Sequence, residues 1–158
     1  MFEDVYREYF KSIYNYIYFR VGNHHDAEDL TADVFVRAYE YLHGFNGEKG
    51  GMRAWLGGIA RNMVNTFFAK TAGRAKIIEL SEFMPANVDI EGEYQRGEDV
   101  RLLMSHIRKL PESKRELLAM KYFLGLTNRE IAKSTGMSES NVGSTVHRII
   151  GALQKKYF

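Results

Sequence analysis

Four residues near the C-terminus, Thr127, Glu130, Gly136 and Ser138, combine types and spacings that only a few local structures require. Thr127-Asn-Arg-Glu130 is a capping box: the threonine oxygen accepts from a free amide three residues on, and the glutamate reaches back to the first amide. Ile131 and Ala132 follow on the side that must be buried. Gly136 comes four residues after Ala132, where a tight turn needs positive φ. Ser138 can cap a second helix, which Val142 and Val146 would anchor. A small alanine lets two helices cross closely, and the short turn fixes their angle. This pattern predicts a helix-turn-helix, the unit whose second helix enters the major groove of DNA. An ordinary helical hairpin is the plainer alternative. Agreement between caps, turn glycine and core positions favours the DNA-binding unit.

Chemistry of a catalytic kind is not evident. Gly47-Glu-Lys-Gly-Gly51 lacks the spacing and the Lys-Ser/Thr end of a phosphate-binding loop. The five histidines show no ligand spacing with carboxylates, and His24-His25 reads as a surface turn. Without cysteine there are no disulfides and no thiolate metal sites. No enzyme activity, cofactor or metal is therefore expected. The start, Met-Phe-Glu-Asp, does not resemble a signal peptide. No apolar run approaches the ~18 residues a membrane span needs, so no membrane insertion and a cytoplasmic location are expected.

The elements that must position these residues are helical. In the first half, Phe2, Val5, Tyr9, Ile13 and Ile17 step by three and four, and Tyr6, Phe10 and Tyr14 widen the stripe. This predicts a helix over 2–21, ended by Gly22-Asn23. A second helix starts near His25-Asp26 with Ala27, Leu30, Val34, Ala38 and Tyr41 as its seam. Its other face reads Asp26, Asp29, Asp33, Arg37, Glu40. A glycine-rich loop over 44–51 leads to a third helix with the seam Met52, Trp55, Ile59, Met63 and Phe67. The pattern then fades, with Pro85 and two glycines, before helical spacing returns near Asp99. Charge divides the chain in the same way: residues 1–78 carry net +1, 79–98 carry −5 and 99–158 carry +6. The expected fold is all-α, with two small helical domains joined by a flexible linker. The domains should span 1–76 and 99–158, with an acidic linker over 77–98 and the helix-turn-helix in the second domain. A three- or four-helix bundle is expected for the first domain and four helices for the second.

Several segments resemble one family. Leu110-Pro-Glu-Ser-Lys-Arg-Glu-Leu-Leu118, Gly125-Leu-Thr-Asn-Arg-Glu-Ile-Ala132 and Gly136-Met-Ser-Glu-Ser-Asn-Val142 resemble the promoter-binding domain of extracytoplasmic-function (ECF) sigma factors, a branch of the sigma-70 family. Asp26-Ala-Glu-Asp-Leu-Thr-Ala-Asp-Val-Phe35 is similar to the family's polymerase-binding helix. Arg53-Ala-Trp-Leu-Gly-Gly-Ile-Ala-Arg-Asn62 is similar to its promoter-melting helix. The resemblance implies a subunit of RNA polymerase that recognises the −35 and −10 elements and helps melt the promoter. It implies that Asp26, Asp29 and Asp33 bind the clamp helices of the largest polymerase subunit, and that the second domain meets the flap of the second-largest. It implies a pocket for a flipped −10 base built with Phe45 and Asn62. Arg53, Arg61 and Lys70 are candidate phosphate contacts, with ordinary solvated basic residues as the plainer alternative. Ser144, His147 and Arg148 match positions that meet the −35 element, and Ser140, Asn141 and Thr145 can also reach DNA. Arg148 can make two hydrogen bonds to guanine or grip a phosphate. The chain departs from the family at Ala32, where glutamine is usual, and at Gly143, Thr145 and Ile150, positions often basic. Partners expected are core polymerase, promoter DNA and an anti-sigma protein. The rival readings are a sigma mimic that sequesters an anti-sigma protein and a stand-alone helix-turn-helix regulator.

Overall fold

The computed structural model describes residues 2–45, 47, 51–71, 102 and 105–157. Among these, every regular element is helical. The order is α1 (Phe2–Val21), α2 (His24–Glu40), a 3₁₀ turn (Leu42–Gly44), α3 (Gly51–Lys70), α4 (Glu112–Tyr122), α5 (Asn128–Thr135) and α6 (Glu139–Tyr157). The acidic linker expected over 77–98 lies outside the described residues.

α1 starts on an amphipathic stripe and ends fully enclosed. Every residue from Ile13 to Val21 is buried, including Asn15 and Arg20. A helix buried all round needs neighbours on every side. Here α2 and α3 cover one side and α4 the other. An aromatic ladder at four-residue spacing runs along α1, with Tyr6, Phe10, Tyr14 and Tyr18 in successive ring contact. The Tyr14 hydroxyl and His24 Nδ1 share a hydrogen bond of 2.6 Å, which ties the ladder to the start of α2. Gly22, at φ +72°, makes the turn between them. Asn23 then caps α2 by accepting from the Asp26 amide at 2.9 Å.

The seam of α3 differs from expectation. Leu56, Gly57, Ala60 and Val64 are buried, one position round from Trp55, Ile59 and Met63, which are only half-buried. The reason is a second packing partner. α3 lies between α1 and α2 on one side and the α4–α5 turn on the other, so its small residues are drawn inward. Similarly, α2 buries Thr31 and Phe35 alongside Ala27, Val34 and Ala38, while Tyr41 is exposed. Thr31 is accommodated because its hydroxyl donates to the Ala27 carbonyl at 2.6 Å.

The second domain forms as its local signals require. Pro111 sits at the N-cap of α4, where its missing amide hydrogen leaves no bond unmade. Gly125, at φ +68°, turns the chain after α4. Thr127 Oγ1 accepts from the Glu130 amide at 3.1 Å and Glu130 Oε1 accepts from the Thr127 amide at 2.9 Å. Gly136 ends α5 at φ +80°. Ser138 Oγ then accepts from the Asn141 amide at 3.1 Å at the start of α6. Of the fourth helix expected here, the described part is a helical stretch at 105–107, with Ile107 in the core.

The two domains are in contact. α1 packs on α4, the Phe19 and Phe123 rings lie 5.3 Å apart, and Leu124 and Leu126 seat on α3.

Candidate nucleic-acid interface

α6 presents the −35 candidates through its packing on α4 and α5. Val142, Thr145, Val146 and Ile149 recur at i, i+3, i+4 and i+7, and all are buried. Ser140, Asn141, Ser144, His147 and Arg148 are therefore left on the exposed side. Thr145 is a correction: it is only 8% exposed and does not face outward. Its hydroxyl donates to Asn141 Oδ1 and accepts from Arg148 Nη2, each at 3.3 Å. It orients two exposed polar side chains instead of offering its own. Gly143 faces α5, and a Cβ there would stand 3.3 Å from Asn128 Nδ2. A long side chain there would crowd the helix crossing.

The −10 candidates do not form one group. Phe45 is half-buried and its ring lies 5.1 Å from that of Trp55, at the start of α3. Asn62 is exposed and lies two turns further along, roughly 10 Å at 1.5 Å per residue. It lines an open groove of about 350 Å³ between α2 and α3, with Leu30, Met63 and Phe67 as floor and Asp33, Arg37, Thr66 and Lys70 at the rim. Phe45 does not line that groove.

The basic candidates are partly committed elsewhere. Arg61 Nε donates to Glu116 Oε1 at 2.5 Å and Nη1 donates to the Ser134 carbonyl at 2.9 Å, so both of its bonds reach the second domain. The Arg53 guanidinium stands 5.9 Å from the centre of the Tyr9 ring, and its side chain lies against Gly125. Sequence reasoning missed the group around Arg61. Arg20, its side chain 3% exposed, donates to Glu112 Oε1 from Nε at 2.9 Å and from Nη2 at 2.7 Å. It also donates to Tyr16 Oη and Asn65 Oδ1, and its Nη1 lies 3.6 Å from Glu116 Oε1. Burial pushes the Tyr16 hydroxyl well above its ordinary range, so Tyr16 stays neutral beside Arg20. Burial disfavours the Arg20 charge, but the carboxylates of Glu116 and Glu112 lie beside it, and its pKa is raised. The spacing held a signal: Arg20 follows Ile13, Tyr16 and Ile17 at i+7, i+4 and i+3, on the buried face.

The acidic candidates lie on α2. Asp29 and Asp33 are exposed, and neither is in an ion pair with another described residue. Asp26 stands in the first turn, half-buried, where a carboxylate favours the positive end of the helix dipole. Val36 and Tyr39 on the same outer surface are more than half exposed. Among the described residues no three metal-ligating side chains cluster, and no helix is long and apolar enough to cross a membrane.

Residues 5–74 match the family model for sigma-70 region 2, and residues 101–153 match that for sigma-70 region 4. The RNA polymerase sigma factor YlaC of Bacillus subtilis is 30% identical over 97% of this chain and 90% of its own length. The ECF RNA polymerase sigma factor BldN of Streptomyces coelicolor is also 30% identical, over 98% of this chain. The chain spans only 59% of BldN. Among solved structures, CnrH in complex with the cytosolic domain of CnrY shares the fold, with a TM-score of 0.66 and 22% identity over 98% of this chain and 85% of that one. Two region models in the expected order and a relative matched along nearly its whole length lead to one assignment: the chain belongs to the ECF branch of the sigma-70 family of RNA polymerase sigma factors.

Proposed function

We propose that this chain binds core RNA polymerase through the acidic face of α2 and directs it to promoters, reading the −35 element with α6 and the −10 element with α3. It acts as a binding subunit, not as an enzyme. The observation that carries the reading is the outer face of α6. A capped helix, packed by Val142, Val146 and Ile149, leaves Ser140, Asn141, Ser144, His147 and Arg148 outward in one row. Such a row suits base edges and phosphates in a major groove.

Arg148→Ala tests this reading. If Arg148 makes a bidentate contact with guanine, its loss weakens binding by about 1–3 kcal/mol, and mainly on promoters carrying that guanine. If it grips a phosphate, the loss is similar on every sequence. Binding by the holoenzyme to promoters mutated across the −35 element separates these outcomes. Unchanged binding on all of them overturns docking by α6.

Asn62 on α3 is proposed as a −10 contact without Phe45 as its near partner. Its exposed amide can meet the hydrogen-bonding edge of an unpaired base. Asn62→Ala is expected to reduce promoter opening, read by permanganate reactivity, more than initial binding, read by gel shift. A premelted promoter should restore only part of the loss, because base recognition is still missing. Normal opening by the folded variant excludes this role.

A further inference from the structure

The hydroxyl of Thr145 joins two side chains on the outer row of α6. Thr145 itself is 8% exposed, on the inner face. Asn141, one turn before it, and Arg148, one turn after it, are both exposed. A guanidinium has donors only, so Thr145 Oγ1 accepts from Arg148 Nη2. The hydroxyl has one proton, and that proton goes to Asn141 Oδ1. The relay therefore runs one way, from Arg148 through Thr145 to Asn141. Each bond is 3.3 Å, so Arg148 Nη2 and Asn141 Oδ1 stand at most twice that distance apart. Successive nucleotides of one strand rise by about 3.4 Å, so the pair suits adjacent or next-adjacent base pairs.

We infer that Thr145 is a positioning residue that sets which base edges α6 accepts. With its oxygen turned to Thr145, the Asn141 amide offers DNA its NH2 group alone. The two-bond pairing of asparagine with adenine needs oxygen and nitrogen outward together, and the relay prevents it. Arg148 likewise offers only donors. The two side chains make a donor-only face, complementary to guanine through O6 and N7 and to thymine through O4. Adenine and cytosine place an amino group on the same edge, where donor would meet donor. The hydroxyl also holds a rotamer-rich arginine in place before DNA arrives, which lowers the ordering cost of binding. The inference rests on the reading of the −35 element by α6, and adds which bases that helix selects and what selects them.

Thr145→Val removes the hydroxyl and keeps the branched shape that fills the core. Thr145→Ala removes it by a second route, and Thr145→Ser keeps it. Each full-length variant is assembled with core polymerase and selected on promoters randomised across the −35 element. Sequencing of bound DNA gives the preference at every position, and circular dichroism melting checks folding. Asn141→Ala and Arg148→Ala identify the positions that each side chain reads.

The native protein should favour guanine or thymine at the position that depends on Asn141. Thr145→Val and Thr145→Ala should raise adenine there severalfold, because the freed amide can turn both of its atoms outward. Preference at the Arg148 position should fall about two- to tenfold, the range for ordering one long side chain. Thr145→Ser should keep the native profile. A native profile in the folded valine and alanine variants overturns the relay and leaves Thr145 a core residue. Adenine favoured by the native protein at the Asn141 position overturns the donor-only face. An equal loss on all sequences, with serine no better than valine, means that Thr145 acts through packing, and also overturns it. Failure of the −35 reading shows differently: Asn141→Ala and Arg148→Ala would then leave every position unchanged, and the relay falls with that reading.

Discussion

Replacing Asp29 and Asp33 with lysine is expected to weaken binding to core polymerase by at least about a hundredfold, while helix content stays unchanged. Both carboxylates are exposed on α2 and take part in no ion pair with the described residues, so folding loses little with them. The change turns two negative charges into two positive ones on the face proposed to meet the clamp. Like charges brought together in an interface cost several kcal/mol, and each 1.4 kcal/mol is tenfold in affinity. Pull-down of core polymerase, followed by titration, measures the effect. Native-like affinity in a folded variant places the polymerase contact elsewhere. Neutral replacements, Asp29→Asn and Asp33→Asn, should lose much less, because they remove attraction without adding repulsion.

The second large effect is expected at Ile131. Its side chain is fully buried, in the first helix of the helix-turn-helix, and α5 is only eight residues long. A short helix has few other apolar anchors, so the site cannot collapse easily around a lost group. Ile131→Ala should destabilise the protein by about 2–5 kcal/mol, the range for truncating a buried Ile or Leu. Urea unfolding followed by circular dichroism gives the number. The same variant should lose −35 binding near the temperature at which the second domain melts. A cost below about 1 kcal/mol would mean that α5 is held by its capping box and turn more than by its core.

Features decided by near neighbours in sequence were legible. The capping box at Thr127 and Glu130, the left-handed Gly136 and the cap at Ser138 each depend on a few adjacent residues, and each forms as its residue types require. The extent of α1, Phe2–Val21, follows from its stripe and from Gly22. Features decided by docking were not. Arg61 reads in sequence as a free cation, and only the approach of α4 turns it toward Glu116. The seam of α3 was displaced for the same reason, since a helix with two partners buries more than one stripe. Thr145 is a different case. Its spacing from Val142 and Ile149 put it on the inner face, and its polar side chain drew attention away from that spacing.

The ion group between the domains has a consequence for the order in which the molecule is made. Arg20 and Glu112 are 92 residues apart in the chain, and Arg61 and Glu116 are 55 apart. The helix-turn-helix, by contrast, is joined by bonds between residues three apart, such as Thr127 to Glu130. Closing the long loops carries an entropic cost that grows with their length. Each domain should therefore fold first and dock afterwards. Synthesis adds a delay, because α3 ends at Lys70 and Glu112 follows 42 residues later. At about 5–20 residues per second, Glu112 is joined to the chain roughly 2–8 seconds after Lys70. For that interval a nascent chain has Tyr16 and Asn65 beside Arg20 but no carboxylate from α4, and Arg61 lacks Glu116. The ion group between the domains is thus expected to be among the last parts of the fold to form.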